Sequence, residues 1–394
     1  MQIRSAFSIA LAAFAVAAHA NTIVCQLEVK ASAKAVAHDF GVVLVDQTFG
    51  APFALYRTRP GQNEDVIQAK MRLDPRVMWS EDNIEVVSPE GSGAGKGSTI
   101  AAVGDRNDLY ALNDAWLQQI HFSPTLAQTP GRTVRVAILD TGLSPLQMAL
   151  WTKTVASMNA VEPRLRPYDV PMSRDTNGNT DPDEAVGHGT MIAGIVDQIA
   201  PLTDLVIVRV ADSDGVSTAW RLIKGIAFAV TNNAEVANIS LGSLSEIPAL
   251  SDVMSWAQHR GLVLVAPAGN NSIEDIMSPA SISEVIGVAG VNEFDLKAPF
   301  SNWHHSVRQS APSTGIKSFW WDGTLGVWSG TSFASPMVAA GIADVLRRRP
   351  PMNPDDLIGI VRRSGDNINA LNPSFADSLG LRLNLQDLDN DMRH

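Results

Sequence analysis

Cysteine is nearly absent from this chain of 394 residues, because Cys25 is the only one. A single cysteine cannot form an internal disulfide bond, and it provides no cluster of thiolates for a metal ion. We therefore interpret Cys25 as an ordinary small apolar residue. Stability is then expected to come from a large hydrophobic core, from bound ions, or from both.

Positive charge is also scarce. The chain has 30 lysines and arginines against 41 aspartates and glutamates, which gives a net charge of −11. Nucleic-acid binding needs clustered basic residues on the phosphates, so this composition argues against such a partner. Hydrophobic residues make up 45% and charged residues 18%, which predicts a globular core. The length indicates one large domain with a smaller one.

Beyond residue 20, the chain lacks any apolar stretch that approaches the roughly 20 residues of a membrane span. Residues 1–20 combine Arg4, an apolar segment and the small-x-small pattern Ala18-His19-Ala20. This combination is typical of a secretory signal peptide cut after Ala20, and a buried N-terminal helix is the alternative. The interpretation predicts a protein exported to the periplasm or the extracellular space, with no membrane anchor after cleavage.

Residues 21–88 have the pattern of a small α+β unit. Strand-like and helical segments follow in the order β-α-β-β-α-β, which is the split βαβ, or ferredoxin-like, arrangement. The sequence then becomes rich in glycine and serine and loses its apolar period. We interpret residues 89–104 as a flexible linker that proteases can cut.

Residues 105–394 alternate between apolar β-branched strands and helical segments. Continuous apolar strands separated by helices predict an α/β fold with a doubly wound, mainly parallel sheet covered on both faces. In open sheets of this kind, ligand sites lie at the carboxyl ends of the strands. Polar residues at those positions are therefore candidates for chemistry.

Three polar residues stand at the ends of predicted buried elements. Asp140 follows the strand sequence VRVAIL, His188 lies between two glycines at a helix start, and Ser332 precedes the apolar run FASPMVAAGIADVL. Taken singly, each also fits a turn or helix-cap role. Pro336 is tolerated only in the first turn of a helix, which predicts that Ser332 lies at or just before the helix N-terminus. Unpaired backbone N–H groups there favour negative charge.

These residues together supply the parts of a nucleophilic mechanism. A serine hydroxyl needs a base, and the base needs a carboxylate that fixes its tautomer. The segments VAILDTG, GHGTMIAGI and SGTSFASPMVAAG, in this order, resemble the three signature segments of the subtilisin-like serine proteases, or subtilases. VANISLG and APAGNN, between the second and third of these, are similar to the family's substrate-binding strand and oxyanion-hole segment.

The resemblance implies a role for each matching residue. Ser332 is the expected nucleophile, His188 the general base and Asp140 its orienting partner. Asn270 is expected to donate its side-chain amide to the oxyanion, beside the backbone N–H of Ser332. An extended peptide is expected to pair as an added strand with the substrate-binding residues. These are Ser240, Leu241, Gly242, Gly215 and Gly269.

The small N-terminal unit, residues 21–88, resembles the propeptide of the same family. The resemblance implies that it assists folding and blocks the cleft with its last strand, as an intramolecular inhibitor. The linker would then hold the processing point. The predicted protein is a monomer with protein or peptide substrates.

An acidic loop, DTNGNTDPDE, contains Asp175, Asp181 and Asp183. Oxygen-rich loops suit calcium, but the EF-hand pattern fails because Thr180 occupies the position of its glycine. A solvated acidic loop is the favoured interpretation, with structural calcium as the weaker one. The predicted chemistry itself requires no cofactor.

The sequence thus predicts a secreted, self-processing serine endopeptidase that hydrolyses peptide bonds through an acyl-enzyme. Two alternatives keep the same fold. One is a catalytically inactive binding protein, although all four triad and oxyanion residues are present. The other is an acyl-transfer enzyme, which would pass the acyl group to an amine instead of water.

Overall fold

A computed structural model of the chain describes residues 18–87, 97–101 and 105–393. The predicted signal peptide over residues 1–20 lies almost wholly outside these described residues. The same is true of most of the predicted linker over residues 89–104.

The N-terminal unit, residues 18–87, is a small antiparallel sheet with two helices. Its four strands lie in the order β2-β3-β1-β4, and the sequence of elements is β-α-β-β-α-β. Side chains of Ser32 and Asn63 cap the two helices by accepting hydrogen bonds from backbone N–H groups. The elements are β1 (Ala18–Leu27), α1 (Ala33–Asp39), β2 (Val43–Gln47), β3 (Phe53–Arg57), α2 (Glu64–Met71) and β4 (Val77–Val87).

The rest of the described chain forms the α/β unit, residues 97–101 and 105–393. Its helices and strands alternate for most of its length, as the sequence predicts. They are β5 (Ser98–Ala101), α3 (Arg106–Leu112), α4 (Asp114–Gln119), α5 (Pro124–Ala127), β6 (Arg135–Asp140), α6 (Met148–Trp151), β7 (Thr154–Asn159), α7 (His188–Ile199), β8 (Asp204–Arg209), β9 (Val216–Thr218), α8 (Ala219–Thr231), β10 (Val236–Ile239), α9 (Pro248–Gln258), β11 (Val263–Pro267), β12 (Val285–Val291), β13 (Gln309–Pro312), β14 (Ile316–Phe319), β15 (Leu325–Trp328), α10 (Thr331–Arg347), α11 (Pro354–Arg363), β16 (Leu381–Arg382) and α12 (Leu385–Asp391).

Eight parallel strands form the central sheet, in the order β16-β13-β12-β11-β10-β6-β8-β7. Successive residues of β6 face opposite sides. Val136 and Ile138 pack in the cluster that contains α7 and α10, whereas Ala137 and Leu139 pack in the cluster that contains α8 and α9. Helices therefore cover both faces, and the predicted doubly wound α/β fold is confirmed.

Two parts of the fold were not predicted from the sequence. Strands β14 and β15 form a hairpin, and β5 adds to it as a third antiparallel strand. The weakly patterned C-terminal region contributes β16 to the edge of the central sheet. Buried Arg382 holds this strand in place. Its Nε donates to Asp295 at 3.1 Å, and its Nη1 donates to the carbonyl of Leu383 at 2.8 Å.

Within the described ranges, no helix combines the length and the apolar character that crossing a membrane requires.

Candidate functional site

Asp140 is the last residue of β6, and its carboxylate faces the imidazole of His188. The Nδ1 atom of His188 lies 2.8 Å from Oδ1 and 3.0 Å from Oδ2 of Asp140. The backbone N–H of Thr141 also donates to Oδ1, at 2.7 Å. Both side chains are only 1% exposed, so water does not weaken this pair. The carboxylate therefore holds Nδ1 in its protonated form and directs Nε2 away from Asp140.

The two glycines beside His188 allow the start of α7 to fit against its neighbours. Gly187 caps the helix in a left-handed conformation, with φ of +91°, and a Cβ atom there would lie 2.9 Å from the ring of Trp320. A Cβ atom on Gly189 would lie 2.5 Å from the carbonyl oxygen of Gly142. Close backbone approach on both sides requires glycine, which is the physical reason for the GHG sequence.

Aromatic side chains enclose the imidazole. The ring centroid of His188 lies 5.4 Å from that of Trp328, edge to face, and 5.2 Å from that of Phe333. Phe333 is the residue after Ser332, so the same contact brings the start of α10 against the start of α7. This apolar enclosure strengthens electrostatic interactions inside the site.

Asp169 is a positioning residue that the sequence did not reveal. Its carboxylate accepts hydrogen bonds from the backbone N–H groups of Gly187 and Thr190 and from the hydroxyl of Thr190, at 3.0, 3.1 and 2.6 Å. It thereby satisfies N–H groups at the start of α7, next to His188. Burial raises the pKa of Asp169, against the lowering effect of these hydrogen bonds.

We expect the replacement of Asp169 by alanine to lower the free energy of unfolding by about 2–3 kcal/mol, because it leaves buried N–H groups without acceptors. Denaturant unfolding measures this change. Asp356→Ala is the matched control, since Asp356 lies exposed in the first turn of α11 and should contribute less than about 1 kcal/mol. Equal effects of the two substitutions would contradict the positioning role.

The raised pKa of Asp169 also predicts that the loss in the free energy of unfolding caused by Asp169→Ala depends on pH. The folded state binds this proton more tightly than the unfolded state, so the contribution of Asp169 to stability decreases as the pH rises above the ordinary carboxyl pKa. The loss caused by Asp169→Ala should therefore be larger in mildly acidic than in mildly alkaline buffer.

Ser332 is the second residue of α10 and is fully buried. The helix begins at Thr331, so Pro336 lies beyond the first turn, and the expectation that confined this proline to the first turn was wrong. Proline has no N–H group, so the carbonyl of Ser332 loses its helical partner. The hydroxyl of Ser240 donates to this carbonyl instead, at 3.3 Å. Among the described residues, Ser332 Oγ makes no hydrogen bond.

Asn270 has its side-chain amide oriented by the residue before Ser332. Its Oδ1 accepts from the backbone N–H and the hydroxyl of Thr331, at 2.9 and 2.8 Å. The same hydroxyl accepts from the N–H of Gly269, at 3.2 Å. These contacts identify the oxygen end of the amide, and they direct the Nδ2 group away from Thr331.

Residues 240–242 follow the end of β10 and lie beside the last strand of the N-terminal unit. Gly242 donates to the carbonyl of Val87 at 2.9 Å and accepts from its N–H at 3.2 Å. On the other side, residues 85–87 of β4 pair antiparallel with β9, which follows Gly215. Gly215 turns the chain there, with φ of +77°. The end of β4 is therefore a strand held between the two predicted substrate-binding segments.

Gly269, the remaining predicted substrate-binding residue, precedes Asn270 with φ of +113°. A Cβ atom there would lie 2.6 Å from Nδ2 of Asn302 and 2.7 Å from Sδ of Met277. Leu241 is buried between Ser240 and Gly242.

The acidic loop does not form a metal site in the described part of the chain. No group of three acidic, histidine or cysteine side chains is placed there to hold a metal ion. Asp175 accepts from the backbone N–H groups of Gly178 and Thr180, and Asp183 accepts from that of Met172. These carboxylates accept hydrogen bonds from backbone N–H groups of the loop and of Met172, and structural calcium at this loop stays a prediction.

Comparisons with known proteins agree with this geometry. The sequence model of the Subtilase family matches residues 131–379. The chain is 30% identical to thermitase of Thermoactinomyces vulgaris over 68% of this chain and 93% of that protein. It is 28% identical to the minor extracellular protease Epr of Bacillus subtilis over 72% of this chain, but that match spans only 42% of Epr. The crystal structure of fervidolysin from Fervidobacterium pennivorans, a keratinolytic enzyme related to subtilisin, shares the fold, with a TM-score of 0.72 at 18% identity over 94% of this chain and 61% of that one. The chain therefore belongs to the subtilase family.

Proposed function

We propose that the protein is a secreted serine endopeptidase that processes itself and hydrolyses peptide bonds in proteins. The observation that carries this proposal is the buried hydrogen bond between Asp140 and His188, at the start of a helix that packs against the start of the Ser332 helix. The reaction requires no cofactor, because side chains and backbone N–H groups supply every catalytic group.

In the proposed mechanism, Ser332 Oγ attacks the carbonyl carbon of the scissile bond and passes its proton to Nε2 of His188. Asp140 stabilises the imidazolium that forms. The oxyanion accepts hydrogen bonds from Nδ2 of Asn270 and from the backbone N–H of Ser332, which lies in the first turn of α10. His188 then protonates the leaving amine, and water attacks the acyl-enzyme by the reverse sequence of steps.

The N-terminal unit is proposed to be the propeptide and the intramolecular inhibitor. Support comes from residues 85–87, which occupy the position of an added strand in the cleft. The unit also caps two helices of the α/β unit. Asn83 accepts from the N–H of Trp220 in α8 at 2.9 Å, and Glu81 accepts from that of Ala249 in α9 at 2.8 Å. These contacts support a role of the unit in folding as well as in inhibition.

Export rests on the sequence of residues 1–20, which is typical of a signal peptide. Processing is proposed within the glycine-rich linker, because Val87 lies in the cleft and the chain continues from there into residues 88–96. The proposed enzyme acts as a monomer on extended segments of protein substrates.

The test is the intact mass of the purified wild-type protein and of its Ser332→Ala variant, prepared from the same full-length precursor. The wild type is expected to be shortened within the linker, whereas Ser332→Ala keeps its N-terminal unit. Ser310→Ala is the matched control, because it removes a buried hydroxyl in β13, outside the proposed triad and oxyanion hole, and should still be processed.

Two outcomes would contradict the proposal. If wild type and Ser332→Ala both keep full length under folding conditions, the chain is an inactive binding protein. If processing occurs but peptide substrates yield new amide products in place of hydrolysis products, the enzyme is an acyl transferase.

A further inference from the structure

Met277 lies between the two glycines that are proposed to line the substrate cleft. A Cβ atom on Gly242 would be 3.1 Å from Cβ and 3.3 Å from Cε of Met277. A Cβ atom on Gly269 would be 2.7 Å from Sδ and 2.8 Å from Cγ of the same side chain. The thioether chain therefore runs directly against the backbone of both segments.

The backbone around Met277 is tied to both segments as well. The N–H of Met277 donates to the carbonyl of Ala268 at 3.0 Å. Ser278 and Ser243 exchange two backbone hydrogen bonds, at 2.9 and 2.8 Å. Residues 277–278 thus connect Ser243, which directly follows the Ser240–Gly242 segment, with the Ala268–Asn270 segment.

The side chain of Met277 is enclosed by its neighbours. It is only 3% exposed. A Cβ atom on Gly269 would also contact Asn302, which is completely buried. The carbonyl of Gly269 accepts from the N–H of Asn302 at 2.9 Å, and the Nδ2 of Asn302 donates to Ala268 at 3.3 Å. The Ala268–Asn270 segment is therefore held in position against Met277.

We infer that Met277 is a specificity-determining residue, which fills the pocket for the substrate side chain before the scissile bond and restricts that position to small, uncharged residues such as alanine. This inference rests on the proposed endopeptidase function, because the pocket is assigned from it. A methionine side chain occupies the volume that a phenylalanine or leucine side chain would need, and it offers neither a charge nor a strong hydrogen-bond partner.

The experiment compares peptide substrates that are identical except for alanine or phenylalanine before the scissile bond. The processed wild-type enzyme is expected to have at least about a 10-fold higher kcat/KM for alanine, because a tightly filled pocket rejects larger side chains by factors of this order. In Met277→Gly, the phenylalanine-to-alanine ratio of kcat/KM should rise by about 10- to 100-fold. Met277→Ala should shift the ratio in the same direction by a smaller factor, and it serves where the glycine variant fails to fold.

Met277→Leu is the control, since leucine keeps most of the volume and should keep the preference for alanine. A wild type that prefers phenylalanine, or a ratio that stays the same in Met277→Gly and Met277→Ala, overturns the inference and leaves the proposed function intact. Absence of any cleavage by the wild type contradicts the proposed function and this inference with it.

Discussion

Replacement of His188 by alanine is expected to lower kcat for peptide hydrolysis by about 10⁶-fold, and replacement of Asp140 by asparagine by about 10⁴-fold. The first change removes the proposed general base. The second keeps the shape of the side chain but alters the hydrogen bond to His188. The two effects should not add, because the pair acts as one unit.

The geometry of Asp140 explains the expected effect of asparagine. Thr141 N–H donates to Oδ1 at 2.7 Å, so an asparagine would keep its oxygen there. Its NH₂ group would then replace Oδ2, which lies 3.0 Å from Nδ1 of His188. The oxygen would still lie 2.8 Å from Nδ1, but the neutral amide no longer stabilises the imidazolium. Its N–H group beside Nδ1 also favours the tautomer with the proton on Nε2, which cannot accept the proton of Ser332.

Steady-state kinetics on processed enzyme measure these losses. Variants that do not process themselves are cut by immobilised wild-type enzyme, which is then removed. Denaturant unfolding serves as the control, since Asp140→Asn should leave the fold intact while activity falls. A loss of less than about 10-fold in kcat for Asp140→Asn would contradict the assigned role, given the size of a tautomer effect.

Replacement of Asn270 by alanine is expected to lower kcat by about 10²- to 10³-fold with little change in KM, because the oxyanion exists only after attack on the carbonyl. Thr331→Val should give a loss in the same direction but smaller. Its hydroxyl donates to Oδ1 of Asn270 at 2.8 Å and accepts from the N–H of Gly269 at 3.2 Å, and valine keeps the shape while removing both contacts. The N–H of Thr331 would still hold the amide, at 2.9 Å.

Kinetics of Asn270→Ala, Thr331→Val and the double variant test whether Thr331 orients the amide of Asn270. If Thr331 acts through Asn270, the double variant should be no slower than Asn270→Ala alone. Asn271→Ala is the neighbouring control, and its kcat should stay within about 3-fold of the wild type if only Asn270 contacts the oxyanion. A rise in KM without a change in kcat for Asn270→Ala would assign this residue to ground-state binding instead.

Several parts of the fold and of the site could be predicted from the sequence because their signals are local. The helix predicted to start at His188 is α7, which spans His188–Ile199. The strand before Asp140 is β6, because a run of apolar β-branched residues identifies a buried parallel strand. The hydrogen bond between Asp140 and His188 follows, since both residues stand at ends of elements that the parallel sheet brings to one edge.

The sequence by itself therefore determined the family, the α/β architecture, and the residues that are candidates for the triad and the oxyanion hole. Only the tertiary structure decided which residues support them. Asp169 reaches the start of α7 from the irregular segment between β7 and α7, and Met277 packs against both Gly242 and Gly269. No periodicity or motif in the sequence indicates such contacts, because they depend on how segments far apart in the chain pack against one another. For the same reason the sequence did not predict β16, the strand that ends at Arg382, because it pairs with β13 only in the folded central sheet.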